Sequence, residues 1–158
     1  MYDFESNLKT GNKYEDIFVD KFLGNPPDLY RPPGRFRPYD FTTGQIAYEV
    51  KSDSIAYKYE SFCIQFLHDD KPSGISTTMA DLYIIFITHP TKPYRVFAIP
   101  VCVMKQAIRD RLWTGILEPR YNQGQNSHCY FMPFSLFSEY EVDAVSCSAP
   151  LESQTGSI

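Results

Sequence analysis

The chain has 158 residues and a formal net charge of −4, with a sequence pI near 5.3. That length suits one domain whose core buries most of its apolar surface, and no apolar run approaches the roughly 20 residues that cross a bilayer. Overall charge does not draw such a chain to nucleic acid. The acids are unevenly placed, however: beyond Phe137 there are Glu139, Glu141, Asp143 and Glu152 and no base, which leaves 15 charges of each sign in residues 1–137.

The start, Met1-Tyr2-Asp3-Phe4-Glu5, lacks the basic opening of a signal peptide, and a cytoplasmic setting is expected. Cys63, Cys102, Cys129 and Cys147 form no CxxC pair, and His68, His89 and His128 form no HxH or HxxxH pair. Neither a zinc or redox motif nor a histidine-based hydrolase is indicated. Three of the cysteines sit among apolar neighbours and read as buried thiols.

In chain order, residues 7–23 predict a helix, with Tyr14, Ile17, Phe18 and Phe22 at helical spacing and Gly24-Asn25-Pro26-Pro27 ending it. Glu15 lies beside Phe18, Val19 and Phe22, at the border of the apolar stripe. It is either a carboxylate pointing inward or an ordinary surface glutamate. Residues 26–33 are a proline-rich, extended connector.

A β-hairpin follows, with residues 35–41 as one strand and 45–51 as the other. On the second strand Ile46, Tyr48 and Val50 face one way, and Gln45, Ala47, Glu49 and Lys51 the other. An even loop, such as Thr43-Gly44, puts Asp40 opposite Ala47 and diagonal to Glu49, whereas an odd loop without a bulge turns Asp40 away. Two carboxylates on one face can hold a divalent metal, and a lysine beside them can steady the charge that develops on an attacked phosphodiester. Hard oxygen donors favour Mg²⁺ or Mn²⁺ over zinc. Asp69-Asp70-Lys71 repeats the acid-x-lysine pattern but runs into Pro72-Ser73-Gly74, a turn.

Residues 57–67 fit a strand, with Phe62, Ile64 and Phe66 on one face and Ser61, Cys63 and Gln65 on the other; they also fit a helix, and periodicity does not decide. Residues 73–78 form a hydroxyl-rich loop that either presents donors to a phosphate or bonds its own backbone. Residues 82–87 are apolar enough for a strand covered on both faces. Residues 95–99 make a further strand, Pro100 opens a helix carrying Val103, Met104, Ala107, Ile108 and Leu112, a polar loop spans 121–126, and 128–132 is a last strand. Residues 1–144 form one domain, and the serine-rich tail 145–158 is expected to be mobile.

Pro38-Tyr39-Asp40 and Glu49-Val50-Lys51 resemble the two halves of the motif of the PD-(D/E)XK nuclease superfamily. The stretch Pro72-Ser73-Gly74-Ile75-Ser76-Thr77-Thr78, leading to Ala80-Asp81-Leu82-Tyr83, looks like one found in small phage-type members. Tyr39 between Pro38 and Asp40 is a departure from the pattern. The resemblance covers about residues 7–135. It implies an α/β fold of restriction-endonuclease type: a central mixed sheet flanked by helices, built as a helix, a meander of three strands, a crossover helix and a further strand. It also implies hydrolysis of DNA, with Mg²⁺ (or Mn²⁺) held by Asp40, Glu49 and the Val50 carbonyl. Lys51 would orient the nucleophile or stabilise charge, Glu15 would complete the metal shell, and Gln65 would position water. Arg31, Arg35, Arg37 and Lys58 gather around the hairpin and, with Ser73, Ser76 and Thr77, are candidates for phosphate contact; the basic residues read equally as solvated charges.

Three functions follow. One is a metal-dependent DNA endonuclease, which includes a resolvase of branched (Holliday junction) DNA. It would act as a homodimer, as small relatives often do, and in a bacterial host's cytoplasm if phage-encoded. The others are a nucleic-acid-binding protein that has lost catalysis and a structural protein.

Overall fold

A computed structural model describes residues 4–34, 37–119 and 126–143, with side chains from residue 11 onward. Arg35, Cys147, the tail 145–158 and all but Asn126 of the loop at 121–126 lie outside the described residues. In chain order the elements are α1 (Phe4–Lys21), β1 (Phe41–Thr43), β2 (Ile46–Asp53), α2 (Ala56–Tyr59), β3 (Ser61–His68), β4 (Lys71–Pro72), β5 (Leu82–Ile87), β6 (Arg95–Pro100), α3 (Val101–Arg109), β7 (Gly115–Leu117), β8 (Ser127–Pro133) and β9 (Glu141–Val142). A 3-10 segment covers Gly74–Ser76, and two such pieces joined by a kink at Phe137 cover Phe134–Tyr140.

The strands form two sheets. The first, ordered β1-β2-β5-β6-β9, is mixed: β2 and β5 are parallel and the other pairs antiparallel. The second, ordered β4-β3-β8-β7, is antiparallel throughout. The α/β class with a mixed sheet is as expected, and β5 is interior as its composition requires.

The expected three-strand meander does not form. β3 is a strand, as its alternation allows, but it pairs with β8 in the second sheet while β5 takes the place beside β2. The crossover from β2 to β5 is therefore the one-turn α2, a β-hairpin and a 3-10 segment instead of a long helix. Phe62 and Ile64, at 0% and 2% exposure, bury against the first sheet, and that is what takes β3 out of its plane.

α1 packs on the other face of the first sheet. Its stripe of Phe18, Val19 and Phe22 meets Phe41, Tyr48, Val50, Ile84 and Phe86. Phe18 is fully buried, with its ring centroid 5.1 Å from that of Phe22, 5.8 Å from Tyr48 and 6.4 Å from Phe86. The helix stops where Gly24 (φ 67°) and Asn25 (φ 54°) turn left-handed and the Asn25 amide bonds back to the Val19 carbonyl at 3.0 Å. On the opposite face, Tyr83, Ile85, Phe97 and Ile99 pack with Phe62, Ile64, Met132, Phe137 and the α3 residues Met104 and Ala107.

Two boundaries differ in ways that matter for the site. Of the expected strand 35–41, the described residues 37–40 stay outside the sheet and pairing begins with Phe41 in β1, because Pro38 has no amide to donate and the chain bends through 38–40. The turn is Gly44-Gln45, not Thr43-Gly44, since Thr43 pairs with Ile46 and Gly44 carries the positive φ of 57°. α3 ends before Leu112, and β7, β9 and the segment at 134–140 had no clear periodicity to reveal them. Asp69 (φ 49°) and Asp70 (φ 58°) form the tight turn between β3 and β4, so the second acid-x-lysine match sits at a hairpin tip. Of the three cysteines described, Cys129 is buried, Cys63 half-buried and Cys102 exposed, so burial holds only in part. None of the described helices is long and apolar enough to cross a membrane.

Replacing Phe18 by Ala removes the ring that joins α1 to three strands and should cost about 3–5 kcal/mol. Urea denaturation followed by far-UV circular dichroism checks this, and an unchanged midpoint would show that α1 does not depend on that ring.

Candidate functional site

The hairpin register decides where the acids lie. With Phe41 opposite Tyr48 and Thr42 opposite Ala47 the ladder ends at Phe41, and Asp40 just before it lies against Tyr48 and Val50 of β2, further along that strand than the expected partner Ala47. The Asp40 amide donates to the Tyr48 carbonyl at 2.9 Å. Its Oδ2 accepts the Val50 amide at 2.7 Å, taking the place of the strand that has ended. In an extended strand the N–H and C=O of one residue point to the same edge, so the Val50 carbonyl faces the side where Asp40 stands.

Glu49 and Lys51 share the other face of β2 from Tyr48 and Val50 and form an ion pair. The Glu49 side chain is 13% exposed and that of Lys51 46%. Across the parallel ladder Glu49 is level with Tyr83 and Lys51 with Ile85. Thr78 lies on the same cleft wall, and its hydroxyl accepts the Ala80 amide at 3.2 Å. These groups open on a cleft of about 1000 Å³ between the two sheets, which Arg37, Gln65, Ser73 and Thr77 also line.

Glu15 reaches the same cleft from α1. It is the one charged residue buried among those described, at 5% exposure, because it lies one turn before Phe18 and Val19 on the stripe that faces the sheet. Arg31 Nη1 contacts its Oε2 at 2.8 Å, and Arg37 Nη2 approaches its Oε1 at 3.9 Å. Burial raises the Glu15 pKa and Asp40 raises it further, with Arg37, Arg31 and Lys51 opposing. Burial likewise raises Glu49; Lys51 pulls it down, Asp40 pushes it up again, and the net shift is upward. Lys51 loses some preference for its charge through desolvation, but Tyr83, Glu49 and Asp40 more than offset this and lift its pKa above the ordinary value. Lys51 is therefore a fixed ammonium at neutral pH. The Tyr83 phenol is pushed up to about 12, chiefly by burial, and stays protonated.

The remaining candidates divide. Arg37 lines the cleft, and its Nη1 donates to the Asp40 carbonyl at 3.3 Å. Arg31 is occupied by Glu15 and by Asp16, the latter at 2.7 Å, and its guanidinium lies over the Phe41 ring. Lys58 stands on α2 over Tyr57, away from the lining of the cleft. Gln65 faces the cleft and donates through Nε2 to Ser73 Oγ at 2.7 Å. It sits next to a bulge at Phe66, which resets the pairing of β3 with β8. Ser76 turns its hydroxyl to the Phe66 carbonyl at 2.9 Å and Thr77 to the Gly74 carbonyl at 3.4 Å.

Tyr83 and Thr78 were missed in the sequence. Tyr83 is the one hydroxyl-bearing side chain in the run 82–87, but only the β2–β5 register puts it beside Glu49. Thr78 lies in the hydroxyl-rich stretch, with nothing local to distinguish it from Thr77.

No group of three or more His, Cys, Asp or Glu side chains among the described residues is spaced as a ready-made metal cage. The groups that could serve as donors are the Asp40 and Glu49 carboxylates and the Val50 carbonyl, with Glu15 on the same cleft. Mg²⁺ keeps several waters and needs only one or two carboxylates, so hard oxygens of this kind suit it. The repulsion that Asp40 exerts on Glu49 and Glu15 is a strain that a cation would relieve. The chain matches no family model, and no curated protein or solved structure is significantly similar to it.

A pH dependence of stability follows from the raised Glu49 pKa. The folded state holds the Glu49 proton more tightly than the unfolded chain does, so this contribution is present below the unfolded carboxylate pKa and is lost as pH rises through the folded one. Glu49→Gln, which cannot ionise, should therefore melt above wild type at neutral pH in chelator. The gap should close as the pH is lowered. Thermal denaturation across that range checks it, and a variant less stable than wild type at neutral pH would contradict it.

Proposed function

We propose that this chain is a metal-dependent endonuclease of the PD-(D/E)XK type, hydrolysing phosphodiester bonds in DNA. One observation carries the reading: Asp40, fastened to the Val50 amide, lines one cleft with Glu49 and with Lys51, which is paired to Glu49. Asp40, Glu49 and the Val50 carbonyl would hold Mg²⁺, and Glu15 would stand behind them. When bound, the metal lowers the pKa of its water and polarises the phosphate.

The chain's own groups supply the rest. Lys51 stays charged at neutral pH, so it acts as an electrostatic clamp on the charge gathering on the phosphate and not as a general base. Gln65 commits its amide nitrogen to Ser73, which leaves its carbonyl oxygen to accept from a water in the cleft. Arg37 is the described arginine that lines the cleft, where it would meet a neighbouring phosphate. Arg31 instead neutralises Glu15 and Asp16 and shapes the acidic site.

The test is to incubate plasmid, linear, branched and single-stranded DNA with the protein in Mg²⁺ or in chelator, beside Asp40→Ala and Lys51→Ala. Cleavage should require the metal and fall by about a hundredfold or more in each variant, the scale set by losing one preorganised charge-stabilising group. Cleavage that survives chelator or both substitutions overturns the mechanism, and retention of DNA without any cleavage points to a binding protein. The branched substrate separates a junction resolvase from a general endonuclease.

A further inference from the structure

The backbone of β2 addresses two different neighbours in alternation. Ala47 and Asp53 turn their carbonyls toward β5, where they accept the Asp81 amide at 2.8 Å and the Thr88 amide at 3.0 Å. Tyr48, Val50 and Ser52 therefore address the opposite edge, the side on which β1 lies. Asp40 meets the first two there: its amide donates to the Tyr48 carbonyl at 2.9 Å, and its Oδ2 accepts the Val50 amide at 2.7 Å. The β1 ladder ends at Phe41 opposite Tyr48, and among the described residues no partner reaches the Ser52 amide. Ser52 is exposed and lines the cleft.

The Val50 amide shows what this edge holds, which is an anionic oxygen in line with the N–H. Two residues on, about 7 Å along the strand, the Ser52 amide presents the same donor with nothing bound. Lys51 stands between them and lines the same cleft, so the place is flanked by a cation. The nearest acid beyond it, Asp53, is turned to its own chain, where its Oδ1 accepts the amides of Ile55 and Ala56, both at 2.8 Å. β2 ends at Asp53, which leaves a single open N–H. An added peptide strand needs a row of them, whereas one oxyanion needs only one.

We infer that the Ser52 amide is a phosphate-binding donor, taking a non-bridging oxygen of the phosphodiester that enters the cleft. The inference rests on the nuclease reading of the cleft. It goes further in naming a substrate contact made by the backbone of β2 and not by a side chain.

The test adds inorganic phosphate, in Mg²⁺, to the ¹⁵N-labelled full chain and follows the backbone amides by NMR. The Ser52 proton should move downfield, more than any other in β2, and should also do so in Ser52→Ala, which loses the hydroxyl and keeps the amide. Plasmid cleavage should fall by about a hundredfold in Ser52→Pro, the scale for losing one preorganised donor. Proline suits this place, since the lost N–H faces an open edge and Lys51 before it is already extended. Melting in chelator shows whether that variant is folded. A chain with an ester in place of the Ser52 amide keeps every side chain, should lose cleavage to the same extent, and decides the matter if proline unfolds the protein. A Ser52 proton that does not move, or a shift that is lost in Ser52→Ala and so belongs to the hydroxyl, overturns the inference. If Ser52 takes phosphate but no protein cuts DNA, the donor stands and the nuclease reading falls. If wild type cuts DNA and the ester chain cuts as fast, the nuclease reading stands and the donor falls.

Discussion

Asp40 accepts the Val50 amide proton at the point where β1 runs out, and the geometry of the site hangs on that bond. It joins the Asp40 amide's bond to the Tyr48 carbonyl in holding the chain against β2 after Pro38, which cannot donate to the ladder. With it, a carboxylate is held at the edge of β2, on the same cleft as Glu49 and on the side that the Val50 carbonyl faces. One oxygen of Asp40 is spent on the backbone, and this makes the residue a fixed support and not a mobile surface acid. The two-residue turn at Gly44-Gln45 sets the register that makes the bond available.

The cost of the arrangement falls on the neighbouring carboxylates. Glu15 and Glu49 are both desolvated, and Asp40 drives the pKa of each further up. Such crowding marks sites that are tuned for a task at the expense of stability. The fold offsets it on the reverse side of the same strands. Tyr48 and Val50 point into the aromatic cluster around Phe18, so the strand that bears Glu49 and Lys51 is pinned by the packing of α1. Arg31 ties the two regions together, pairing with Glu15 and covering Phe41 with its guanidinium. The same pairing gives a protein of net negative charge an acidic cleft that arginine partly neutralises.

Much of this could be read along the chain. Period-two alternation at 45–51 separated Tyr48 and Val50 from Glu49 and Lys51, and the helical stripe through Phe18 carried Glu15 with it. A short even turn was enough to bring Asp40 to the correct side, although the turn lay one residue further along. What could not be read was set by long-range pairing. β3 alternates well enough for a strand, but nothing within 61–68 says that its partner is β8, some sixty residues away, and not β2. Tyr83 meets Glu49 only through a parallel register, and Thr78 reaches the cleft only because Gly74 presses the turn onto Gln65. The acid-x-lysine match at 69–71 was separable from the one at 49–51 because it runs into Pro72-Ser73-Gly74, and left-handed Asp69 and Asp70 do put it at a hairpin tip.

The most direct test of convergence at the β1–β2 edge is a Mn²⁺ titration of the isotope-labelled protein, following paramagnetic broadening of the backbone amides by NMR. Asp40, Glu49, Val50 and Lys51 should broaden first, followed by Thr78 and Tyr83, while the Asp69-Asp70 turn and the Asp16 and Asp20 side of α1 stay sharp. Broadening centred on either of those acidic surfaces, with the Val50 amide unaffected, would contradict the account.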